Sequence, residues 1–211
     1  MAFFVKMLRA LKQQYRSRGM VSMLLLNKMQ LAGFLRGLLL KMIYLRRLDS
    51  SVFFIQANST VELLSRQARM RIGKYVFIRK NASIRVDHQG ELRLGNHVFI
   101  NDNCNINCVG RTTIGAYTKI APNVCINDHD HNYKSSEGGH LLVGQVTIGE
   151  HVWIGSNVVI LRDTVIGDHA VIAAGSVVKG HVPAHTVYLN KRESRLLEIG
   201  KKEVLRAGAA Q

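Results

Sequence analysis

The sequence predicts a mainly β fold, a parallel β-helix in which short strands wind round a narrow triangular core. Between Val146 and Pro183, aliphatic residues recur every six positions, a period that fits neither an α-helix nor a single amphipathic strand. A small or β-branched residue follows four positions after each aliphatic, and glycine, which allows positive φ, directly follows three of them. The aliphatic positions are Ile148, Ile154, Ile160, Ile166, Ile172 and Val178.

Three such hexads make one coil, so we expect residues one coil apart to stack, for example Ile148 on Ile166. Less regular hexads begin near Leu64, which predicts a β-helix domain over residues 51–189. The longest break in the period is the segment 127–145. Insertions in a solenoid form surface loops and often the binding face, so this loop is the candidate active-site loop.

Residues 1–50 carry ten Lys or Arg and one acidic residue, with apolar residues at helical spacing. We expect two amphipathic helices with a break near Gly19. No run of about 18 uncharged apolar residues, the length of a spanning helix, is present. Two interpretations stay open: peripheral contact with an anionic membrane surface, or a helical cap packed on the β-helix or on a neighbouring subunit. The segment 190–211 is expected to form a short capping helix and tail.

The net charge of +15 and the pI near 10.2 favour an anionic partner. Nucleic acid is not expected, because the chain has no recognition motif or aromatic stacking platform. The three cysteines form no CxxC pair, which fits a reducing, cytoplasmic location, with the inner face of the cell membrane as a further possibility.

A filled prism leaves no interior cavity, so chemistry must occur on an outer face, against a loop or a neighbouring subunit. The loop contains His129, His131 and His140, and histidine is the side chain best suited to take a proton near neutral pH. His129 and His131 could also bind a metal as an H-x-H pair. No third ligand stands at metal-ligand spacing in the next coils, so no metal is expected.

Three stretches point to a family. Residues 120–126 read IAPNVCI and are followed five positions later by His131; residues 148–156 read IGEHVWIGS; and residues 172–178 read IAAGSVV. With them, residues 60–186 resemble the left-handed β-helix, hexapeptide-repeat acyltransferases, especially the galactoside, maltose, xenobiotic and capsular polysaccharide O-acetyltransferases. The resemblance implies acetyl-CoA as acyl donor and a homotrimer with each active site between two subunits.

The resemblance also implies roles for single residues. His131 falls at the position of the catalytic base. Asn101, Trp153 and His129 would contact the acceptor, although Asn101 could be only a polar turn residue and Trp153 could only pack under the loop. The backbone N–H of Ser156 would stabilise the oxyanion that forms at the thioester carbonyl.

The acyl-donor side of the site is less well matched. Ala174 would line the coenzyme A channel. After Val178 the chain departs from the family pattern, so Lys179, Lys191 and Arg192 are only candidate contacts for the coenzyme A phosphates.

The favoured function is acetyl-CoA-dependent O-acetylation of a surface polysaccharide (capsule, O-antigen or exopolysaccharide) or of its lipid-linked precursor. The basic segment 1–50 favours this over the first alternative, an acetyltransferase for a small xenobiotic or an amino sugar. The second alternative is a non-acyl β-helix protein, either a γ-carbonic anhydrase-like enzyme or a scaffold. The chain lacks the H-x4-H pattern of that carbonic anhydrase branch.

Overall fold

Short parallel strands stack into a β-solenoid of about six coils that follows one long N-terminal helix. The computed structural model describes residues 2–133 and 140–190. The predicted fold class is confirmed, and the stacking of the coils is consistent with a left-handed β-helix. The predicted C-terminal helix lies in residues 191–211, outside the described residues.

The helix α1 spans Ala2–Tyr44 and a 3-10 turn spans Leu45–Arg47. Each coil then contributes one strand to each side of the prism. The strands are β1 Leu48–Ser50, β2 Phe53–Ile55, β3 Thr60–Leu63, β4 Arg69–Ile72, β5 Val76–Ile78, β6 Ser83–Val86, β7 Glu91–Leu94, β8 Phe99–Ile100, β9 Asn105–Cys108, β10 Arg111–Ile114, β11 Lys119–Ile120, β12 Cys125–Asn127, β13 His129–His131, β14 Leu141–Val143, β15 Gln145–Ile148, β16 Trp153–Ile154, β17 Val159–Ile166, β18 Val171–Ile172, β19 Val177–Val182 and β20 Val187–Tyr188.

The core of the solenoid is a column of aliphatic side chains that point inward from all three sides. Ile148 pairs with Ile166 and Ile154 with Ile172, as the period of the sequence predicts. The aliphatic hexad positions are almost fully buried, and so are the small residues that follow them, such as Val152 and Thr164. The small residues therefore complete the core at each corner.

Most positive φ angles at the corners belong to Asn, His and Tyr, although Asp163, Gly175 and Gly180 also have them. The glycines that directly follow the aliphatic residues were expected to supply them. Gly155 has no positive φ. A Cβ there would lie 2.6 Å from the backbone nitrogen of Ala174, so this glycine serves the close approach of two coils. That part of the sequence interpretation is wrong, because the short polar side chain of asparagine also tolerates the left-handed region.

Two of the corners are built as ladders of identical contacts. At one corner the amide of each asparagine donates to the next, from Asn81 to Asn103 at 3.1 Å and onward to Asn157. At another corner six rings stack with centroids 4.8–5.4 Å apart. Ring stacking contributes about 0.5–1.5 kcal/mol per pair beyond area burial, which helps offset the strain of positive φ. The rings belong to Tyr75, His97, Tyr117, His151, His169 and His185.

The N-terminal helix is broken at Gly19, where φ is 76° and ψ is 169°, so the predicted break is confirmed. Within Arg9–Arg47 the helix is long and apolar enough to cross a membrane by length and composition alone. Of the 18-residue window that meets this criterion, 11% is buried inside the protein. By its composition, this helix is therefore closer to a membrane-spanning helix than the sequence analysis predicted.

The last turns of α1 cover the first coil. Leu40 and Tyr44 pack against the core, and the Tyr44 hydroxyl donates to the Val61 carbonyl at 3.0 Å. Arg47 donates to the carbonyl oxygens of Leu63 and Ser65. These bonds satisfy three carbonyl oxygens at the edge of the first coil, where the end of α1 and the 3-10 turn pack.

Replacing Ile154 by Asp tests the assigned phase of the hexads. Ile154 is fully buried, and an unpaired carboxylate there costs several kcal/mol. We expect insoluble protein, or a cooperative melting transition lost from circular dichroism, because adjacent coils share the same core. Val165→Asp is the matched control, since Val165 is 42% exposed and should leave the melting curve almost unchanged. A soluble Ile154→Asp protein with native melting would contradict the assigned core.

Candidate active site

A β-hairpin leaves the solenoid at the corner that follows β12. Its strands β13 and β14 pair antiparallel, with His129 opposite Val143 and His131 opposite Leu141. The main chain closes the base of the hairpin through the Gly144 N–H, which donates to the Asp128 carbonyl at 2.8 Å. The described residues of the insertion predicted over 127–145 therefore form the two antiparallel arms of a hairpin, and the coils on either side keep their register.

The side chain of Asp128 is fully buried under the base of the hairpin. Its carboxylate accepts the backbone N–H groups of Val109 at 2.9 Å and Gly110 at 3.1 Å, and the Thr112 hydroxyl at 3.3 Å. A buried carboxylate is tolerated only when donors surround it, and these donors come from the coil below. Asp128 therefore joins the hairpin to the solenoid.

The same carboxylate holds His129. Its Nδ1 lies 3.0 Å from Asp128 Oδ1, and its side chain is only 18% exposed. A ring nitrogen held in this way fixes the orientation of the imidazole and leaves Nε2 for another partner. Side chains alternate along a strand, so His129 and His131 lie on the same face of the hairpin. His131 is exposed at the end of β13.

Asp130, between the two histidines, points to the opposite side. Arg162 of β17 donates to its carboxylate at 2.7 Å and also to the carboxylate of Asp163 at 2.5 Å. The hydrogen bond to Asp130, together with both negative charges, raises the pKa of Arg162. The hairpin is thus fastened to the coil above as well as to the coil below.

A buried thiol lies beside this base. Burial, reinforced by the charge of Asp128, raises the pKa of Cys108. Burial likewise raises the pKa of Cys104, whose thiol packs inside a corner. A raised pKa keeps a thiol protonated and poorly nucleophilic, so neither thiol is suited to attack an acyl group.

The other predicted residues lie at a different corner. Asn101 follows β8, and its Oδ1 accepts the N–H of the next residue, Asp102, at 2.9 Å. Ser156 and Ala174 follow β16 and β18 and therefore occupy equivalent positions in successive coils. The bond of Asn101 is that of a polar turn residue, the alternative left open for it. Its role toward an acceptor stays a prediction.

Trp153 lies on the strand that leads into this corner, three residues before Ser156, whereas Lys179 lies apart from it. Trp153 lies on the outer surface of β16 between Lys119 and Val171 and is 48% exposed. Lys179 lies in β19 directly after Val178, which pairs with Ile160 of β17. It is exposed on the side of the corner from which the hairpin leaves. Lys191 and Arg192 lie outside the described residues.

Within one chain the predicted residues thus form two groups. One side of the prism, formed by strands such as β12, separates the hairpin histidines from the corner with Asn101 and Ser156. At about 3.3 Å per residue this separation is roughly 15 Å. A single chain does not bring the proposed base and the proposed oxyanion donor together.

Sequence reasoning missed Asp128 and Arg162. The histidines in NDHDH indicated chemistry, whereas the two aspartates, each directly before a histidine, hold the hairpin in place. The alternating carboxylates were a visible signal for these contacts. In the described part of the chain, no three His, Cys, Asp or Glu side chains are grouped so that they could hold a metal ion.

Comparisons with known proteins agree with the fold and the repeats. Residues 145–180 match the family model described as bacterial transferase hexapeptide (six repeats). The chain is 38% identical over 94 residues to the putative lipopolysaccharide biosynthesis O-acetyl transferase WbbJ of Escherichia coli K12, covering 39% of this chain and 48% of that one. It is 42% identical over 77 residues to the galactoside O-acetyltransferase of the same strain, covering 36% and 38%. The chain spans less than half the length of these two curated relatives.

A solved structure adds a similar neighbour. The hexapeptide-repeat containing acetyltransferase VCA0836 of Vibrio cholerae O1 biovar eltor, complexed with acetyl coenzyme A, superposes with a TM-score of 0.50 at 30% identity. The match covers 55% of this chain and 63% of that one. Together these matches confirm the resemblance to the hexapeptide-repeat acetyltransferases.

Asp128→Asn tests how the hairpin is held. The side-chain amide of the asparagine keeps one acceptor oxygen but places an NH2 group where the second carboxylate oxygen accepted hydrogen bonds. At least one buried hydrogen bond is therefore lost. We expect a loss of about 1–3 kcal/mol in the free energy of unfolding. Hydrogen exchange should speed up at the amides of Val109 and Gly110. Asp168→Asn is the control, because Asp168 is exposed and accepts one backbone N–H, from Glu150. Equal effects of the two substitutions would argue against a special role for Asp128.

Proposed function

We propose that this chain is an acetyl-CoA-dependent O-acetyltransferase whose acceptor is a hydroxyl group of a surface polysaccharide or of its lipid-linked precursor. The observation that carries the proposal is the hairpin, which presents His129 and His131 on one face at a corner of a hexapeptide solenoid. The relatives named as O-acetyltransferases and the neighbour complexed with acetyl coenzyme A support the acyl donor and the reaction class.

His131 is the proposed general base, since its exposed side chain can reach an acceptor. Its imidazole takes the proton of the acceptor hydroxyl as the oxygen attacks the carbonyl carbon of the thioester. The carbon–sulfur bond then breaks, and the thiolate of coenzyme A takes the proton back from the imidazolium. The products are an acetyl ester and free coenzyme A, so the histidine ends neutral and ready for another turnover.

His129 has a positioning role in this proposal. Its ring is held by the buried carboxylate of Asp128, which leaves Nε2 to bind an acceptor hydroxyl or ring oxygen. The same contact also favours a rival assignment, in which the carboxylate-held His129 is the base, as in other carboxylate–histidine pairs. The two assignments predict opposite rankings of the two alanine variants.

A second copy of the chain would complete the site. The corner with Asn101, Ser156 and Ala174 lies roughly 15 Å from the hairpin of the same chain. A homotrimer with three equivalent interfaces would set the hairpin of one subunit against that corner of the next. The backbone N–H of Ser156 would then face the thioester carbonyl, and Trp153 or Lys179 would border the groove.

The reaction class can be tested by following release of free coenzyme A from acetyl-CoA with purified protein. Hydroxyl sugars and oligosaccharides of surface glycans should be acetylated, with mass spectrometry finding an added acetyl ester that mild alkali removes. Acetylation of an amino group, stable to alkali, would favour the amino-sugar alternative. No acetyl transfer to any acceptor would favour a scaffold.

His131→Ala should lower the acetylation rate about 10²–10⁴-fold, the usual contribution of a positioned general base. Folding should survive, because His131 is exposed and lies outside the core. His129→Ala should be much milder in kcat and should act mainly on KM. If His129→Ala and Asp128→Asn abolish turnover while His131→Ala does not, the base is His129.

Mixing inactive subunits tests the shared site. Subunits carrying His131→Ala and subunits carrying Trp153→Ala should each be poorly active alone. When the two variants are co-expressed and form mixed trimers, some interfaces pair an intact hairpin with an intact opposite face. Activity should therefore partly return. Homotrimers mixed after assembly, without exchange, are the control and should stay inactive. No recovery in verified mixed trimers would mean that each chain builds its own site.

A further inference from the structure

We infer that the outer side of α1 is a docking surface for an anionic phospholipid bilayer, on which the helix lies flat. The surface combines an apolar stripe along residues 20–43 with a basic cleft on each side of it. This inference does not rest on the proposed acetyl transfer.

The apolar stripe follows the helical period. Leu24, Leu31, Leu35, Leu38 and Met42 are spaced three, four or seven residues apart, so they lie on one side of the helix. Each of them is 45–60% exposed, far above the usual exposure of a packed leucine. The stripe widens with further exposed apolar side chains, which are Met20, Val21, Leu25, Leu39 and Ile43.

The opposite side of the helix is committed to the solenoid. A Cβ at Gly37 would lie 2.9 Å from the Phe53 carbonyl oxygen, and one at Gly33 would lie 3.2 Å from that of Ile55. The small residues thus let the helix backbone approach the first coil closely. Lipid cannot surround this part of the helix, which favours a surface position over a membrane-spanning one.

Cations flank the stripe on both sides. One cleft between helix and solenoid is lined by Lys41 and Lys74. The cleft on the other side is lined by Lys28, Arg36 and Lys80. Lys28 also lies on the helical spacing of the stripe itself, between Leu24 and Leu31. Among the described residues that line the two clefts, none is acidic.

Among the described residues, four of these cations have no carboxylate partner, whereas the fifth, Lys41, donates to the Ser50 carbonyl oxygen at 2.7 Å. In the described part of the chain, no carboxylate forms an ion pair with Lys28, Arg36, Lys74 or Lys80. An apolar stripe between two rows of cations matches the layers of an anionic bilayer, where acyl chains lie below phosphate and carboxylate groups. A second copy fits less well, because a two-fold interface sets the same patch against itself and would bring like charges together.

The full-length protein should float with vesicles that contain phosphatidylserine and bind much less to vesicles of phosphatidylcholine alone. Binding should weaken as salt rises, because exposed charges are screened. The triple variant Lys28→Gln, Arg36→Gln, Lys80→Gln should bind on the order of 100-fold more weakly, at about fivefold for each lost charge. The double variant Leu31→Gln, Leu35→Gln should bind the vesicles at least about tenfold more weakly, since each substitution removes the apolar contact of a leucine with lipid.

Leu189→Gln is the matched control. Leu189 is 63% exposed at the other end of the solenoid, so its substitution should leave vesicle binding unchanged. All six exchanged residues are exposed, so circular dichroism should report native folding. The inference is overturned if the intact protein binds no vesicles, binds neutral and anionic vesicles equally, or loses as much with Leu189→Gln. It is also overturned if light scattering finds that Leu31→Gln, Leu35→Gln lowers the number of subunits, since the stripe would then be an interface between copies.

Discussion

The hydrogen-bonded stacking of one coil on the next is the constraint on which the rest of the molecule depends. Each strand of an inner coil is paired on both sides, so its side chains can point only into the prism or into solvent. This explains why each stretch of six residues requires an aliphatic residue at one position and a small residue at another. It also explains why the corners are uniform enough to build amide and ring ladders such as the one from Asn81 to Asn157.

The same constraint limits where chemistry can be placed. If a strand left its sheet, the backbone N–H and C=O groups of the two neighbouring coils would lose their hydrogen-bond partners. A corner, by contrast, can open if the chain returns to the same point. The hairpin after β12 does so through the bond between Gly144 and Asp128 and through the donors that surround the Asp128 carboxylate. The proposed catalytic histidines would therefore be mounted on a rigid edge, and under the proposal a second copy of the chain would supply the opposite wall of the site.

The solenoid and its phase were predictable because Ile148 to Val178 repeat a local rule that hardly depends on distant contacts. The break at Gly19 and the position of the insert were predictable for the same reason. The carboxylate of Asp128 was not, because its donors lie in the coil below, in residues such as Val109 that no periodicity links to it. The corner conformations were also misjudged: glycine is the usual residue at positive φ, but stacked rings and linked amides support Tyr75 or Asn103 there.

The regular stacking also makes the solenoid a molecular ruler. The helix closes the first coil, and the hairpin leaves the fourth, three strand spacings along the column β3, β6, β9 and β12. With neighbouring strands about 4.8 Å apart, this places the base of the hairpin about 14 Å above the first coil. With the helix lying on a bilayer, the histidines would work at a set height above the headgroups. The helix between the bilayer and the first coil adds roughly 10 Å to that height. A sugar several units along a lipid-linked glycan could therefore reach it, whereas the sugar bonded directly to the anchor could not.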